Sequence, residues 1–150
     1  MEPELIADYA CEVGEGPLWD SAQQRLYWVD ILTGRLFRYS PDTGEHELFY
    51  QRDGMIGGIT LQADGSLLLL MERGGIAVLR DGELTYVVTE LPGEEGLRFN
   101  DVIAGPAGRV FGGTMPQDSS RAVPGERLGK LYRVDPDGTV TTVFEGTCIP

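Results

Sequence analysis

Two short stretches of this sequence carry residue types that could do chemistry. Residues 96–102 (GLRFNDV) place a cation, a side-chain amide and a carboxylate close together as Arg98, Asn100 and Asp101, and far upstream Glu15 lies between two glycines, ahead of Pro17. Carboxylate and amide oxygens are the ligands that a hard divalent cation such as calcium prefers. A metal ion in an open site polarises a carbonyl group and activates water, and a nearby arginine stabilises a developing oxyanion.

Both stretches stand at the start of a repeat unit. Three units begin near Gly16, Gly57 and Asn100, each with four short β-type runs joined by turns of the Asp-Gly or Pro-Asp-x-Gly type. A spacing of roughly 40 residues with four strands per unit is typical of β-propeller blades. We therefore predict an all-β propeller with blades at about 14–54, 55–95 and 96–147, preceded by a lone strand at 5–13. Equivalent positions of a radial repeat converge on one axis, so we expect the two stretches to share one site.

The patterning inside the units supports strands rather than helices. Residues 36–39 and 131–134 alternate apolar side chains with Arg38 or Arg133, as expected for strands with one buried face. Residues 67–70 are leucine throughout, which favours a strand covered on both faces. Short acidic residues at turn positions are expected to bond their own backbone; these are Asp20, Asp64, Asp81 and Asp137.

Composition excludes several classes of protein. At 150 residues the chain suits one domain, and its net charge of −12 argues against nucleic-acid binding while remaining compatible with cation binding or simple solubility. No signal peptide or membrane-length apolar run is recognised, so we expect a cytoplasmic protein without membrane contact. Cys11 and Cys148 form no Cys-x-x-Cys pair, which predicts two reduced thiols and no structural zinc site.

The number of units raises the question of how the propeller closes. Propellers usually close with four to eight blades, so three blades leave two open flanks that soluble monomers rarely tolerate. We expect either that the chain is the first half of a longer protein or that two copies assemble into a ring.

Two further segments have functional interpretations. His46 is the only histidine and lies in a polar outer run, so a Ser-His-Asp triad is not supported. The longest loop, residues 116–128, interrupts the third unit beside the expected site. Long loops on a rigid scaffold are often lids, so we predict that this loop flanks the mouth of the channel and contributes to substrate choice.

Several runs, taken in order, resemble the gluconolactonase family that includes regucalcin (senescence marker protein). They cover nearly the whole chain and comprise residues 14–19 (GEGPLW), 26–31 (LYWVDI), 98–101 (RFND), 106–109 (PAGR), 113–115 (GTM) and 129–133 (GKLYR). The resemblance implies a six-bladed propeller with one divalent metal ion in the central channel that hydrolyses sugar lactones. It extends over the first half of the family's sequence.

The resemblance also implies roles for individual residues. Glu15 matches a metal-binding glutamate, whereas Arg98, Asn100 and, in a variable loop, Asp118 match positions that contact the substrate. Asp101 either braces Arg98 or Asn100 from behind or caps a turn. The family's next metal ligand is an asparagine that directly follows a run like residues 148–150, and a further aspartate, both ligand and proton acceptor, comes later. No catalytic residue is therefore assigned within this chain.

These observations predict a metal-dependent sugar lactonase. Calcium is the expected ion, with zinc, manganese and iron as alternatives, because oxygen-rich sites admit several metals. The alternatives from other classes are a non-catalytic half-propeller that dimerises or serves as a binding scaffold, and a phosphotriesterase-like metal hydrolase. Metal-dependent turnover separates an enzyme from a scaffold, and a panel of lactones and phosphoesters separates the two enzymes.

Overall fold

Twelve strands form three four-stranded antiparallel sheets in the computed structural model, which describes residues 2–118, 120 and 128–150. Within each sheet the strands follow chain order, so each strand pairs with the strands next to it in that sheet, and each predicted unit contains one sheet. A 3-10 turn, Pro106–Gly108, lies between the first two strands of the third sheet. The strands are β1 (Gly14–Asp20), β2 (Arg25–Asp30), β3 (Arg35–Ser40), β4 (Glu45–Gln51), β5 (Ile56–Leu61), β6 (Leu67–Met71), β7 (Ile76–Arg80), β8 (Glu83–Val88), β9 (Leu97–Ala104), β10 (Val110–Pro116), β11 (Gly129–Val134) and β12 (Val140–Thr147).

Short acidic side chains stabilise turns between these strands, which confirms the prediction for Asp20, Asp64 and Asp137. Asp20 accepts hydrogen bonds from the backbone N–H groups of Ala22 and Gln23, at 2.9 and 3.1 Å. Asp64 and Asp137 bond the backbone two residues further along in the same way. Because these bonds are local, the turn chemistry could be predicted from sequence.

The apolar core lies in two layers, one on each side of the second sheet. In the first layer, Tyr27, Val29 and Leu36 of the first sheet pack against Ile59 and Leu69 of the second. β6 is buried along its whole length, because its alternate residues Leu68 and Leu70 face the other way into the second layer. The prediction that this leucine run is covered on both faces is confirmed.

The second layer joins the second and third sheets. Leu68, Leu70 and Ile76 pack there against Phe99 and Tyr132. The rings of Phe99 and Tyr132 meet edge to face, with their centroids 6.0 Å apart. The second sheet is therefore the central one, and the first and third sheets each leave one face without a neighbouring sheet.

The two outer faces differ in what covers them. On the first sheet, the ring of Tyr9 stacks on Phe37 with a centroid distance of 4.3 Å, and its hydroxyl lies 2.8 Å from Nδ1 of the exposed His46. Residues 5–13, where a lone strand is predicted, are not assigned to a strand, and Tyr9 lies on the face of the sheet. The outer face of the third sheet is open, and Ile103 and Phe144 on it are 68% and 54% exposed.

Within the described part of the chain, no helix is long and apolar enough to cross a membrane. Cys11 and Cys148 do not form a disulfide.

Candidate functional site

The first strand of each sheet faces the same region, and we call β1, β5 and β9 the inner strands. β5 contacts both β1 and β9. Their starts enclose a cleft of about 290 Å³ lined by residues 15–18, 57–59 and 100–102. Glu15, Asn100 and Asp101, which are far apart in the sequence, therefore border one space, as the repeat predicts.

Each inner strand carries a β-bulge at this cleft. In β1 the pairing jumps from Glu15–Val29 to Leu18–Tyr27, which leaves one more residue on β1 than on β2. In β5 the extra residue is Gly57, and in β9 it is Asn100. A bulge bends its strand and redirects a side chain, and bulges are common beside functional sites.

Glu15 stands at the first of these bulges with an exposed side chain. It is close enough to Arg98 for its negative charge to raise the pKa of that guanidinium. Burial of Arg98 acts in the opposite direction and is the larger effect, so the pKa of Arg98 lies below its usual value. The charges of Glu15 and Arg98 therefore interact.

Arg98 is only 5% exposed and fixes the orientation of Asn100. Its Nη1 donates to the carbonyl oxygen of Phe99 at 3.0 Å and to Oδ1 of Asn100 at 2.9 Å. Because a guanidinium only donates, the amide oxygen of Asn100 must point at Arg98. Nδ2 of Asn100 then donates to the carbonyl oxygen of Pro150 at 2.9 Å.

Asp101 borders the cleft directly. Its side chain is exposed, and Oδ1 accepts a hydrogen bond from the backbone N–H of Val102 at 2.8 Å. This bond is local to the strand. That Asp101 braces Arg98 or Asn100 stays a prediction.

Asp118 lies apart from the residues that line the cleft, two positions after the end of β10. Its Oδ1 accepts hydrogen bonds from the backbone N–H and the hydroxyl of Ser120, at 3.0 and 2.6 Å. Most of the predicted lid, Ser119 and residues 121–127, is outside the described residues. The structure therefore places Asp118 in a local turn and leaves its contact with substrate a prediction.

Three side chains that the sequence analysis missed hold the inner strands in place. Each lies at or just beyond the end of the second strand of its sheet and bonds the backbone where the inner strand starts. Asp30 and Glu72 accept hydrogen bonds from the N–H groups of Val13 and Met55, and Gln117 donates to the carbonyl oxygen of Leu97. The signal was available for two of them, because Asp30 and Glu72 are acidic residues that directly end or follow the second strand of their units.

The two carboxylates of this set are themselves neutralised. Oδ2 of Asp30 accepts hydrogen bonds from Thr33 and Arg35, both at 2.6 Å. Burial raises the pKa of Asp30, but the hydrogen bonds from Thr33, Val13 and Arg35 together outweigh burial and hold this pKa below its usual value. Glu72 pairs with Nη1 of Arg52 at 2.8 Å.

Glu94 is a further buried carboxylate that the sequence analysis did not single out. It lies just before β9, is fully buried, and accepts a hydrogen bond from the hydroxyl of Tyr132 at 2.8 Å, with Nζ of Lys130 at 3.1 Å. Burial and the neighbouring Glu94 raise the pKa of Tyr132 to about 12. No local signal marks Glu94, because its neighbours Gly93, Glu95 and Gly96 look like an exposed loop.

The carboxylate atoms that the cleft offers to a metal ion are oxygen atoms. Among the described residues, no three His, Cys, Asp or Glu side chains come together as a group that could hold a metal ion. The cleft does offer the carboxylates of Glu15 and Asp101, which are hard ligands suited to calcium. These residues fit part of an oxygen-ligated site for a divalent ion.

Comparisons with known sequences point to one family. Residues 13–150 match the model of the SMP-30/gluconolactonase/LRE-like region. The chain is 48% identical over 150 residues to pentonolactonase XacC of Haloferax volcanii, which covers all of this chain and 48% of that protein. It is 31% identical over 144 residues to the putative sugar lactone lactonase YvrE of Bacillus subtilis, which covers 95% of this chain and 47% of that protein. The chain thus spans about half the length of the curated relatives it matches.

Solved structures show the same fold. A luciferin-regenerating enzyme superposes with a TM-score of 0.78 at 29% identity, covering 89% of this chain and 46% of its own. The calcium-binding protein regucalcin of Agrobacterium tumefaciens superposes with a TM-score of 0.76 at 26% identity, covering 89% of this chain and 43% of its own. The prediction of a propeller fold is confirmed. The chain belongs to the SMP-30/gluconolactonase/LRE-like family, and its three sheets are three blades of that family's six-bladed propeller.

Proposed function

We propose that this chain supplies part of the active site of a metal-dependent hydrolase of sugar lactones. The observation that carries the proposal is the cleft, where Glu15 of the first blade lies across from Asn100 and Asp101 of the third. Two relatives that are named as lactonases, at 48% and 31% identity, support the same reaction class.

In this proposal Glu15 holds a divalent ion, with calcium as the first candidate and zinc, manganese or iron as alternatives that accept the same oxygen donors. When bound, such an ion polarises the lactone carbonyl and activates water. Further ligands must join Glu15. A residue joined to Pro150 would start beside Asn100, because the carbonyl oxygen of Pro150 accepts the amide hydrogen bond of Asn100, and the family resemblance places a ligand asparagine there.

The chain's own residues bind and orient the substrate. Asn100 faces the cleft with its amide fixed at both ends, so it is preorganised to bond a sugar hydroxyl or the lactone. The buried positive charge of Arg98 favours the negative charge that develops on the carbonyl oxygen during attack. Asp118 and the lid at 116–128 are proposed to set substrate choice from the mouth of the channel.

The open face of the third sheet bears on what completes the protein. Ile103 and Phe144 are exposed there, on a face that a neighbouring blade covers in a closed propeller. We propose that further blades, from the rest of a longer chain or from a second copy, cover this face and bring the remaining ligands to the cleft.

The proposal is tested by thermal melting with and without millimolar calcium or manganese, followed by circular dichroism. A ligand that binds only the folded state stabilises it, by about 2.7 kcal/mol at a ligand concentration one hundred times Kd, and this stabilisation raises the melting midpoint. We expect an upward shift in the wild type and none in Glu15→Gln. The matched control is Glu83→Gln, an exposed glutamate on the outer strand β8, which should shift like the wild type.

A turnover assay then assigns the reaction class. Hydrolysis of pentono- and hexonolactones, followed by acid release, is compared with hydrolysis of a phosphotriester, each before and after removal of metal by EDTA. We expect metal-dependent lactone hydrolysis from the protein in which the remaining blades complete the cleft. Equal melting shifts in the wild type and Glu15→Gln, or hydrolysis confined to the phosphotriester, would contradict the proposal.

A further inference from the structure

The bulge of β5 differs in chemistry from the bulges of β1 and β9. Those two strands present Glu15 and Asn100 to the cleft, whereas β5 presents Gly57 and Gly58. A glycine pair offers a ligand no side chain, so its role must lie in the backbone or in the packing around it.

The packing around this pair is very close. A Cβ atom built at Gly57 would overlap the carbonyl oxygen of Phe99, and one built at Gly58 would lie 2.6 Å from Cγ2 of Val102. Phe99 and Val102 directly bracket Asn100 and Asp101 in β9. β5 therefore touches β9 on both sides of the two residues that border the cleft.

The two glycines differ in what a side chain would have to move. At Gly58 the obstacle is a methyl group of a side chain, which can change its rotamer. At Gly57 the obstacle is a backbone oxygen, and the ring of Phe99 is fully buried against Tyr132. A methyl group at Gly57 can be accommodated only if the backbones of β5 and β9 move apart, and the backbone of β9 carries Asn100.

We propose that Gly57 is a positioning residue of the site. The absence of a side chain at Gly57 lets β9 approach β5, and that approach sets where Asn100 and Arg98 lie relative to Glu15. The inference rests on the proposed function for its chemical meaning, because misplaced groups around a bound metal ion or a reacting carbonyl lose affinity and rate steeply.

The test compares three alanine variants. Gly57→Ala moves the backbone beside the cleft, and Gly58→Ala applies the softer push at the same place. Gly112→Ala is the matched control, because its Cβ would lie 2.5 Å from Leu70 and 3.0 Å from the ring of Phe99, so its nearest obstacles in the same layer between blades are side chains. This control measures the cost of crowding that layer without a direct push on the backbone beside Asn100.

The first readout is the ¹⁵N–¹H spectrum of the metal-free chain, at a temperature where circular dichroism shows each variant folded. We expect the side-chain resonances of Asn100 (Nδ2) and Arg98 (Nε) to move in Gly57→Ala, to move less in Gly58→Ala, and to move least in Gly112→Ala. Unmoved resonances in Gly57→Ala, or equal movement in Gly112→Ala, would overturn the inference. If Gly57→Ala does not fold, Gly58→Ala against Gly112→Ala gives the same decision.

The second readout is calcium affinity by isothermal titration. We expect a loss of about 10- to 100-fold in Gly57→Ala, the range typical of groups that orient metal ligands, with Gly112→Ala close to the wild type. Wild-type affinity in a folded Gly57→Ala would overturn the inference. If calcium does not bind the wild type, or binds it without any dependence on Glu15, the proposed metal site is refuted. The Asn100 and Arg98 resonances still decide the role of Gly57 in that case.

Discussion

The inner strands of the first and second blades carry a bulge at the same place and use it in opposite ways. In β1 the bulge follows Glu15 and leaves its carboxylate exposed to the cleft. In β5 the bulged residue is Gly57, which is buried against the backbone of Phe99. One position of the repeat thus exposes a carboxylate in one blade and lies against a neighbouring strand in the next, so equivalent positions of the repeat differ in chemistry.

The same contrast separates residues that support the fold from residues that face the cleft. Phe99 is completely buried between the second and third blades, whereas Glu15 is exposed. Substitutions on the two sides of this division should therefore have very different effects on stability, and the following variants test that expectation.

The largest effect is expected from Phe99→Ala. Removing a fully buried ring leaves a cavity between two blades and should lower the free energy of unfolding by about 3–5 kcal/mol. Urea unfolding followed by circular dichroism measures the loss. Phe144→Ala, on the open face of the third sheet, should cost under about 1 kcal/mol, and similar losses for the two variants would remove the distinction.

The next effect is expected from Glu72→Gln, which acts where the second inner strand starts. The variant removes the charge partner of the half-buried Arg52 and weakens the bond to the N–H of Met55, so we expect a loss of about 1–3 kcal/mol. Urea midpoints measure it. The control is Glu90→Gln, whose partner Arg73 is exposed, and it should cost at most about 1 kcal/mol. If Glu90→Gln loses as much unfolding free energy as Glu72→Gln, the contacts of Glu72 at the start of β5 contribute little to stability.

A smaller effect concerns pH at Asp30. The folded chain holds the pKa of Asp30 below its unfolded value, so its contribution to stability is present above the unfolded pKa of about 3.9 and is lost as pH falls through the lowered folded pKa. The stability gap between the wild type and Asp30→Asn should therefore narrow from pH 6 to pH 3 in urea titrations. A gap for Asp30→Asn that is constant with pH would contradict the assignment.

The smallest effect is expected from Glu15→Gln in metal-free buffer. An exposed carboxylate at the cleft supports no packing, so the change in unfolding free energy should stay within about 0.5 kcal/mol. A loss above about 1 kcal/mol would place Glu15 among the residues that hold the fold.

Much of the fold could be predicted from the sequence because its signals are local. The leucine run of β6 and the turn aspartates Asp20 and Asp64 depend on neighbours a few residues away. The segment 5–13 has strand-like composition, but no strand is assigned there, and the contact of Tyr9 with Phe37 is one that no local pattern reports.

The candidate site shows the same division. The repeat predicted that Glu15 and Asn100 share one space, because equivalent strand starts converge. The bond from Arg98 to Asn100, the burial of Glu94 and the contact of Gly57 with Phe99 depend on tertiary packing, so single-sequence reasoning could not find them.

The open face of the third sheet also has a colloidal consequence. Ile103 and Phe144 form an exposed apolar surface that favours contact between molecules. The net charge of −12 makes the molecules repel one another. That repulsion reaches only about 10 Å in 0.1 M salt and farther in dilute buffer. We therefore expect a higher salt concentration, which screens this repulsion, to favour association of the exposed faces of two molecules.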